Sequence, residues 1–566
     1  MKFNKIVIGT LMLGLTSCSD VLDKGPLDAY SEKEVWSSPE LVQSFIYPAL
    51  SSGVSYLIDT DSWTDNNVIN DNSGASSINK EQIDRYFDAG WNIYGTIRKC
   101  NLVLEKLSDN TTFTESDKAS LIAQAKMIRA MTYYSRARLF GKLMIVDKVV
   151  DEKEDMKFPR TTTIKDTYDF IIKDLQDAAP NLPVSDESKQ GILTQGAAYA
   201  LLAEVALQGA AYIESGQKEY YQIAKSASES LLSLGRYSLD TDYEKLFNSY
   251  DYALNSKEII LALWRSEDNT SFSGTWMQSL VPNINNDKMK KMAGPTLNDS
   301  FEGWPTMFPS EDLAEAYEAI DLDGTAKDWD QTTYYKDWKE KGGYVSDAIY
   351  KHRDKRFAQT IVYDSTKYFN SIITTRMNGN LNWDSKAGGN WGMTTSGYLY
   401  RKGVYTDNPL WYSDPTNYHY IVLRLGRSYL NYAEALLRLG QTAKAIEYIN
   451  KTRTAHGGLP SLSTSLSSEE AWKAYKRERR IELVQESDRY WSLLRWNKAD
   501  GHSTIDELNI TQHAIKISED GKNFWVIALP YYRSDNEHVF TSKRYLFPVP
   551  EGERTENSNL DQNEGW

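Results

Sequence analysis

The stretch from Tyr429 to Arg453, YLNYAEALLRLGQTAKAIEYINKTR, constrains this chain more than any other. Ala433, Leu436, Gly440 and Ala445 follow a small, large, glycine, small spacing. Small residues let two helices approach closely, and the glycine opens the turn between them. Helical periodicity also runs through SLIAQAKMIRAMTYYSRARLFGKL, where Ile122, Ala125, Ile128, Met131, Tyr134 and Leu139 share a face and Gly141 stands as a stop.

The 429–453 spacing is that of one good tetratricopeptide-like helix pair rather than an array. Pairs near residues 85–140, 163–210 and 219–234 are compatible with degenerate copies. Between 255 and 420 the pattern changes to loops, short strands and scattered aromatics, as in FEGWPTMFPS and LNWDSKAGGNWGMTTSGYLYRKG. The expected layout is a helical part over 31–254, an irregular aromatic-rich insertion over 255–420, further tetratricopeptide-like helices over 421–500 and an irregular segment over 501–566 that packs on the scaffold. A last long helix is expected near 469–498.

The first thirty residues read differently. Lys2 and Lys5 precede an apolar run from Ile6 to Leu15, the plan of an export signal too short to span a bilayer. Leu15-Thr16-Ser17-Cys18 resembles a bacterial lipobox, which makes 1–17 a signal peptide, Cys18 the lipid-attachment residue and 18–30 a tether. Cys100 is then the only free thiol of the mature chain, the Cys18 thiol being acylated. No intramolecular disulfide can form, so the fold must hold by burial. The 566 residues, 41% of them apolar, suffice for a large core. Loss of Lys2 and Lys5 takes the net charge from −14 to −16, which argues against nucleic acid as a partner.

No phosphate loop, dinucleotide glycine motif, paired-histidine zinc helix or nucleophile-elbow serine is present, and the six histidines lie in no metal-ligand spacing. Neither a metal nor a cofactor is called for. Cys100, in IYGTIRKCNLVLEKL, reads as a small buried hydrophobe. The aromatic supply stands out: 16 Trp and 37 Tyr, many in loop-like contexts rich in Gly, Asn and Asp. Flat rings beside Asn, Asp and Arg suit sugars, which offer a C–H face for stacking and a rim of hydroxyls.

These motifs converge on one resemblance. CSDVLDKGP at Cys18, WNIYGTIRKCN, AKMIRAMTYYSRARLFGKLMIV, HRDKRF at His352, SGYLYRKG, LNYAEALLRLG, RERRIELVQESDRYWSLLRW, RYLFPVP and NLDQNEGW together resemble the SusD/RagB family of outer-membrane lipoproteins. The match spans nearly the whole chain. Ser487 departs from a usual glycine and Ser492 from a usual aspartate. The resemblance implies a mostly α SusD-like fold of tetratricopeptide-like helix pairs with a loop-rich insertion carrying short strands. It also implies a non-enzymatic glycan-binding lipoprotein of the outer membrane, facing the cell exterior, which captures oligosaccharide and acts as a lid on a SusC-like TonB-dependent transporter. A glycoside hydrolase and a peptide-binding tetratricopeptide scaffold are the alternatives. The arginine-rich motifs around Arg353, Asp354 and Arg356 and around Arg477, Glu478, Arg479, Arg480 and Glu482 read as ion pairs holding the scaffold rather than as a substrate site.

By position, the resemblance points the sugar site to the loop Asp59–Asn72 and to the segments around Trp276, Trp304 and Trp383–Tyr398. Trp63 and Trp304 are expected as stacking surfaces, with Asp61, Asp65 and Asn66 as hydroxyl partners; Trp276, Arg376, Trp391 and Tyr398 are further candidates. Trp91, within the helix motif, is expected in the core.

Overall fold

The structure, a computed structural model, describes residues 32–55, 61–69, 74–151, 153, 156–186, 191–285, 287, 296–382, 392–529 and 537–566. The signal at 1–17, Cys18 and the tether to residue 30 lie outside the described residues.

Six long helices come first: α1 (Pro39–Ser55), α2 (Tyr94–Ser108), α3 (Glu115–Phe140), α4 (Ile164–Ala178), α5 (Gln195–Ala210) and α6 (Gln217–Ser233). The hydroxyls of Thr114, Thr163 and Thr194 cap α3, α4 and α5 by accepting from the backbone N–H three residues on. Helix α3 stops at Gly141, whose φ of +70° suits a residue without Cβ. Each helix from α2 to α6 packs on the next. Trp91 is buried edge-on against Phe140, and Cys100 is fully buried beneath the same helices. Burial pushes the Cys100 thiol up to about 12, which leaves it protonated and inert.

After the insertion, α7 (Leu425–Arg438) packs on α6 and α5; α8 (Thr442–Ala455) packs on α7, and α9 (Ser468–Glu482) on both. The stack thus resumes where it was left. One apolar core runs through all of it, from Val42 through Ala433 and Ala445 to Leu560.

Eight of the strands among the described residues bear on the position of the insertion: β1 (Asn67–Ile69), β2 (Ile259–Arg265), β3 (Asn283–Ile284), β4 (Phe301–Glu302), β5 (Met307–Pro309), β6 (Tyr418–Arg424), β7 (His513–Ile517) and β8 (Phe524–Ala528). They pair antiparallel as β1 with β5, β2 with β6, β3 with β4 and β7 with β8. Pairing of β2 with β6, Arg265 opposite Tyr418 and Ile259 opposite Arg424, closes the insertion at a neck. Leu261 and Leu423 on these strands belong to the helical core. Beyond the neck the insertion has its own core around Phe272, Ile284, Phe308, Tyr317, Phe357 and Leu399. The 501–566 segment divides between the two: the β7–β8 hairpin adds Ile515 and Ile517 to the insertion's core, while Phe540, Phe547 and Leu560 join the helices.

The last helix is not one piece. It breaks between α9 and α10 (Arg489–Ala499). Gln485 and Ser487 take φ of +60° and +54° there, and the Ser487 N–H donates to Asp61 Oδ2 at 2.8 Å. Helical periodicity continued across 483–488, but a side chain distant in sequence claims a main-chain donor there.

Candidate functional site

The loop from Asp61 to Asn67 lies at the junction of the two cores. Asp61, Asp65 and Asn66 are buried. Arg489 grips the Asp65 carboxylate with Nε at 3.0 Å and Nη2 at 2.9 Å, and Arg480 Nη2 reaches it at 2.9 Å. Burial by itself would raise this carboxyl's pKa; Arg480 and Arg489 outweigh that and hold it below the usual carboxylate value. Arg480 Nε donates to Asn66 Oδ1 at 2.8 Å, the Ser310 hydroxyl donates to Asp65 O at 2.6 Å, and Gln512 Nε2 donates to Thr64 O at 2.8 Å. Trp63 is half-buried, edge-on to Tyr490 with ring centroids 5.2 Å apart and 5.7 Å from Phe547. The expected hydroxyl partners are thus spent on a seam that joins helices, insertion and C-terminal segment, and Trp63 packs on the helical core. Their polar neighbourhood in sequence marks a hydrogen-bonded joint, not a solvent-facing loop.

Three further candidates are also engaged inside the insertion. Trp276 is half-buried and donates from Nε1 to Gln485 Oε1 at 3.4 Å. Tyr398 is buried, its hydroxyl donating to Glu311 Oε2 at 2.6 Å; burial pushes the Glu311 carboxyl up to about 8. Arg376 pairs with Asp364, Nε to Oδ2 at 3.0 Å. Trp391 lies outside the described residues, as do Trp383 and part of the 59–72 loop.

Trp304 does reach the surface, 56% exposed. Strands β3 and β4 deliver it: Glu302 ends β4, and Gly303 follows where a Cβ would overlap the Val281 carbonyl oxygen. Asn283 Nδ2 donates to Gly303 O at 2.9 Å and the Trp304 N–H donates to Gln278 O at 2.6 Å. Glu302 also reaches a second loop, its Oε2 accepting from the Tyr412 N–H at 2.7 Å. That loop is pinned again by the Ser273 N–H donating to Tyr412 O at 3.1 Å and the Trp411 N–H to Asp414 Oδ2 at 2.8 Å. Trp411 and Tyr412 are 45% and 57% exposed. Two loops linked through Glu302 therefore present Trp304, Trp411 and Tyr412 on a backbone held by main-chain hydrogen bonds. Sequence reasoning missed Trp411 and Tyr412, although NPLWYSDPTN carries the same Asn, Pro and Asp context as FEGWPT. It also missed Tyr86, 64% exposed in the segment just before α2.

The arginine motifs form a buried ion network at the neck. Arg356 meets Asp354, Glu478 and Glu482; Arg424 meets Glu258, Glu482 and Glu486; Lys402 meets Glu486, all at 2.6–2.8 Å. Glu258, His456 and Glu482 have the proximity of a metal-ligand set. His456 lies 2.7 Å from Glu482 and 3.2 Å from Glu258; burial would lower its pKa, but these carboxylates push it up to about 10. Imidazolium and guanidinium already supply the positive charge this trio calls for. Arg353 departs from its expected ion pairing and donates instead to the Ile349 carbonyl at 2.7 Å, its guanidinium over the Phe357 ring.

A helical-repeat scaffold that presents a rigid group of exposed aromatic rings on an inserted lobe defines a binding protein. The chain belongs to the SusD family: residues 257–566 match its model, and residues 21–207 match a second one described as starch-binding, associating with outer membrane. A SusD-like protein of Formosa agariphila is 23% identical over 527 residues, covering 88% of this chain and 92% of that protein. The crystal structure of a SusD-like protein from Bacteroides fragilis superposes with a TM-score of 0.76 at 24% identity, covering 96% of this chain and all of the other. A second from the same species, described as a SusD-like carbohydrate-binding protein, gives 0.71 at 20% identity over 93% of this chain and 99% of its own. The shared fold is the mostly helical one with short strands described above.

Proposed function

We propose that this chain is a lipid-anchored, surface-facing outer-membrane protein that captures an oligosaccharide on Trp304, Trp411 and Tyr412 and holds it over a SusC-like transporter, without chemistry on the sugar. The observation that carries the reading is the exposed aromatic group itself. Large rings are costly to leave in water, and these three sit on loops whose backbones are pinned on both sides of Glu302. Stacking surfaces held in place bind without an ordering cost. Family membership and a second model described as starch-binding support a glycan as the ligand. The lipobox-like Leu15–Cys18 supports the anchor.

Affinity electrophoresis of the purified protein in gels containing a panel of polysaccharides tests this. Retardation by at least one neutral or acidic glycan is expected, with no release of reducing ends. Trp304→Ala should weaken binding by ~1 kcal/mol or more while leaving the melting temperature within about a degree. Unaltered retardation in Trp304→Ala and in the Trp411→Ala, Tyr412→Ala double variant would remove the site from this face.

A further inference from the structure

Strand β2 has two edges, and β6 occupies one. On the other, no described residue makes a backbone hydrogen bond to Ile260–Trp264. Yet Ile260, Leu261 and Ala262 are only 8%, 5% and 6% exposed. Alternate residues of a strand point both N–H and C=O to the same edge, and such groups withdrawn from bulk water are normally paired.

A groove of about 320 Å³ runs beside this edge. Its β2 wall consists of Ile259, Ile260, Leu261, Ala262 and Trp264. A cavity over one face of a strand would be lined by every second residue; one lined by consecutive residues follows the edge. The facing wall includes Ile192 and Tyr237. The described lining of the groove carries Lys257 and Arg236 against one acid, Asp186, on a molecule whose overall charge is −14. Lys257 and Arg265 flank β2 at its two ends, exposed and in no ion pair among the described residues, and Arg236 stands on the facing wall. The acid in the lining, Asp186, already accepts the N–H groups of Gly191 and Ile192 at 2.7 and 3.1 Å.

We propose that this edge of β2, unpaired among the described residues, takes an extended acidic peptide segment of a partner protein as a third antiparallel or parallel strand. Main-chain hydrogen bonds to Ile260–Trp264 hold the segment, and Lys257 and Arg265 select acidic side chains. The groove is separate from the aromatic group and does not depend on it.

The test titrates the mature full-length protein with a fluorescein-labelled peptide of sequence Thr-Val-Asp-Val-Glu-Val-Thr and follows anisotropy. Saturable binding is expected. The same peptide N-methylated at alternate residues should bind about tenfold or more weakly, because strand addition rests on main-chain donors. A Lys257→Glu, Arg265→Glu double variant, whose changes are on exposed side chains, should lose about tenfold in affinity with its melting temperature unchanged. Hydrogen exchange should slow at alternate amides of β2 when the peptide is bound. No saturation, or equal binding of the N-methylated peptide, overturns the proposal. Binding that appears only in a chain truncated before residue 32 would make the chain's own leading segment the occupant and overturns a partner's segment.

Discussion

Arg480 and Arg489 are both largely withdrawn from water, and both meet the Asp65 carboxylate. Removing one partner of a buried ion cluster leaves the others uncompensated, at a cost of ~3–5 kcal/mol. Asp65→Ala is therefore expected to lower the melting temperature sharply while folded protein at low temperature keeps its glycan retardation; thermal unfolding beside affinity electrophoresis checks both. Trp304→Ala should show the reverse pattern, which separates joint from platform. Glu311 sets a pH dependence. Its folded pKa, about 8, lies above the 4.5 of an exposed glutamate, so the folded state binds the extra proton between those values. Its stabilising contribution is complete below about 4.5 and is lost as pH rises through about 8. Glu311→Gln keeps an acceptor for the Tyr398 hydroxyl and has no charge to bury. The variant should match the parent near pH 4.5 and melt higher at pH 9; parallel melting curves across that range would rule Glu311 out as the source.

At the scale of the element, the β3–β4 hairpin aims Trp304 through Gly303. Gly303→Ala would press a methyl group into the Val281 carbonyl and displace the turn. Glycan affinity should fall in this variant although every aromatic ring remains, and the loss should approach that of Trp304→Ala by the same electrophoresis. Elements differed in how far they could be read beforehand. Helices α3 to α6 were legible because apolar spacing is local, as is the Gly141 stop that ends α3. The break between α9 and α10 was not, since it depends on Asp61 meeting the Ser487 N–H across more than four hundred residues of chain. Ser487 itself was noticed as a departure from a usual glycine, and its φ of +54° is the backbone reason a glycine suits that position.

Across the whole molecule, the ion network at the neck joins the two cores. Arg356 and Lys402 come from the insertion, Glu258 and Arg424 from the ends of the neck strands, and His456, Glu478, Glu482 and Glu486 from the C-terminal helices and the turn after them. Arg424→Met would leave Glu258, Glu482 and Glu486 short of a buried guanidinium, at a cost of ~3–5 kcal/mol. Both cores should lose stability together; circular dichroism of the helices and tryptophan fluorescence should fall at the same lowered temperature. Separate transitions would mean that the network does not couple them.

Periodicity, the Gly141 stop and the 429–453 helix pair, all local properties of the chain, determined a helical-repeat scaffold with an aromatic-rich insertion, and the spread of motifs determined the family. The same local patterns marked Arg356 and Arg479 as scaffold, because repeated Arg and Glu at helical spacing imply pairing wherever the helix lies. Which loop aromatic faces water was left to tertiary structure. Trp63 and Trp304 stand in equally polar surroundings, yet Trp63 is half-buried against Tyr490 while Trp304 is 56% exposed near the Tyr412 loop. Burial depends on what distant segments come to lie against a side chain. For Asp61, Asp65 and Trp63 those segments are the turn after α9, helix α10 and the C-terminal strand of chain around Phe547, none of which a reading of neighbouring residues contains.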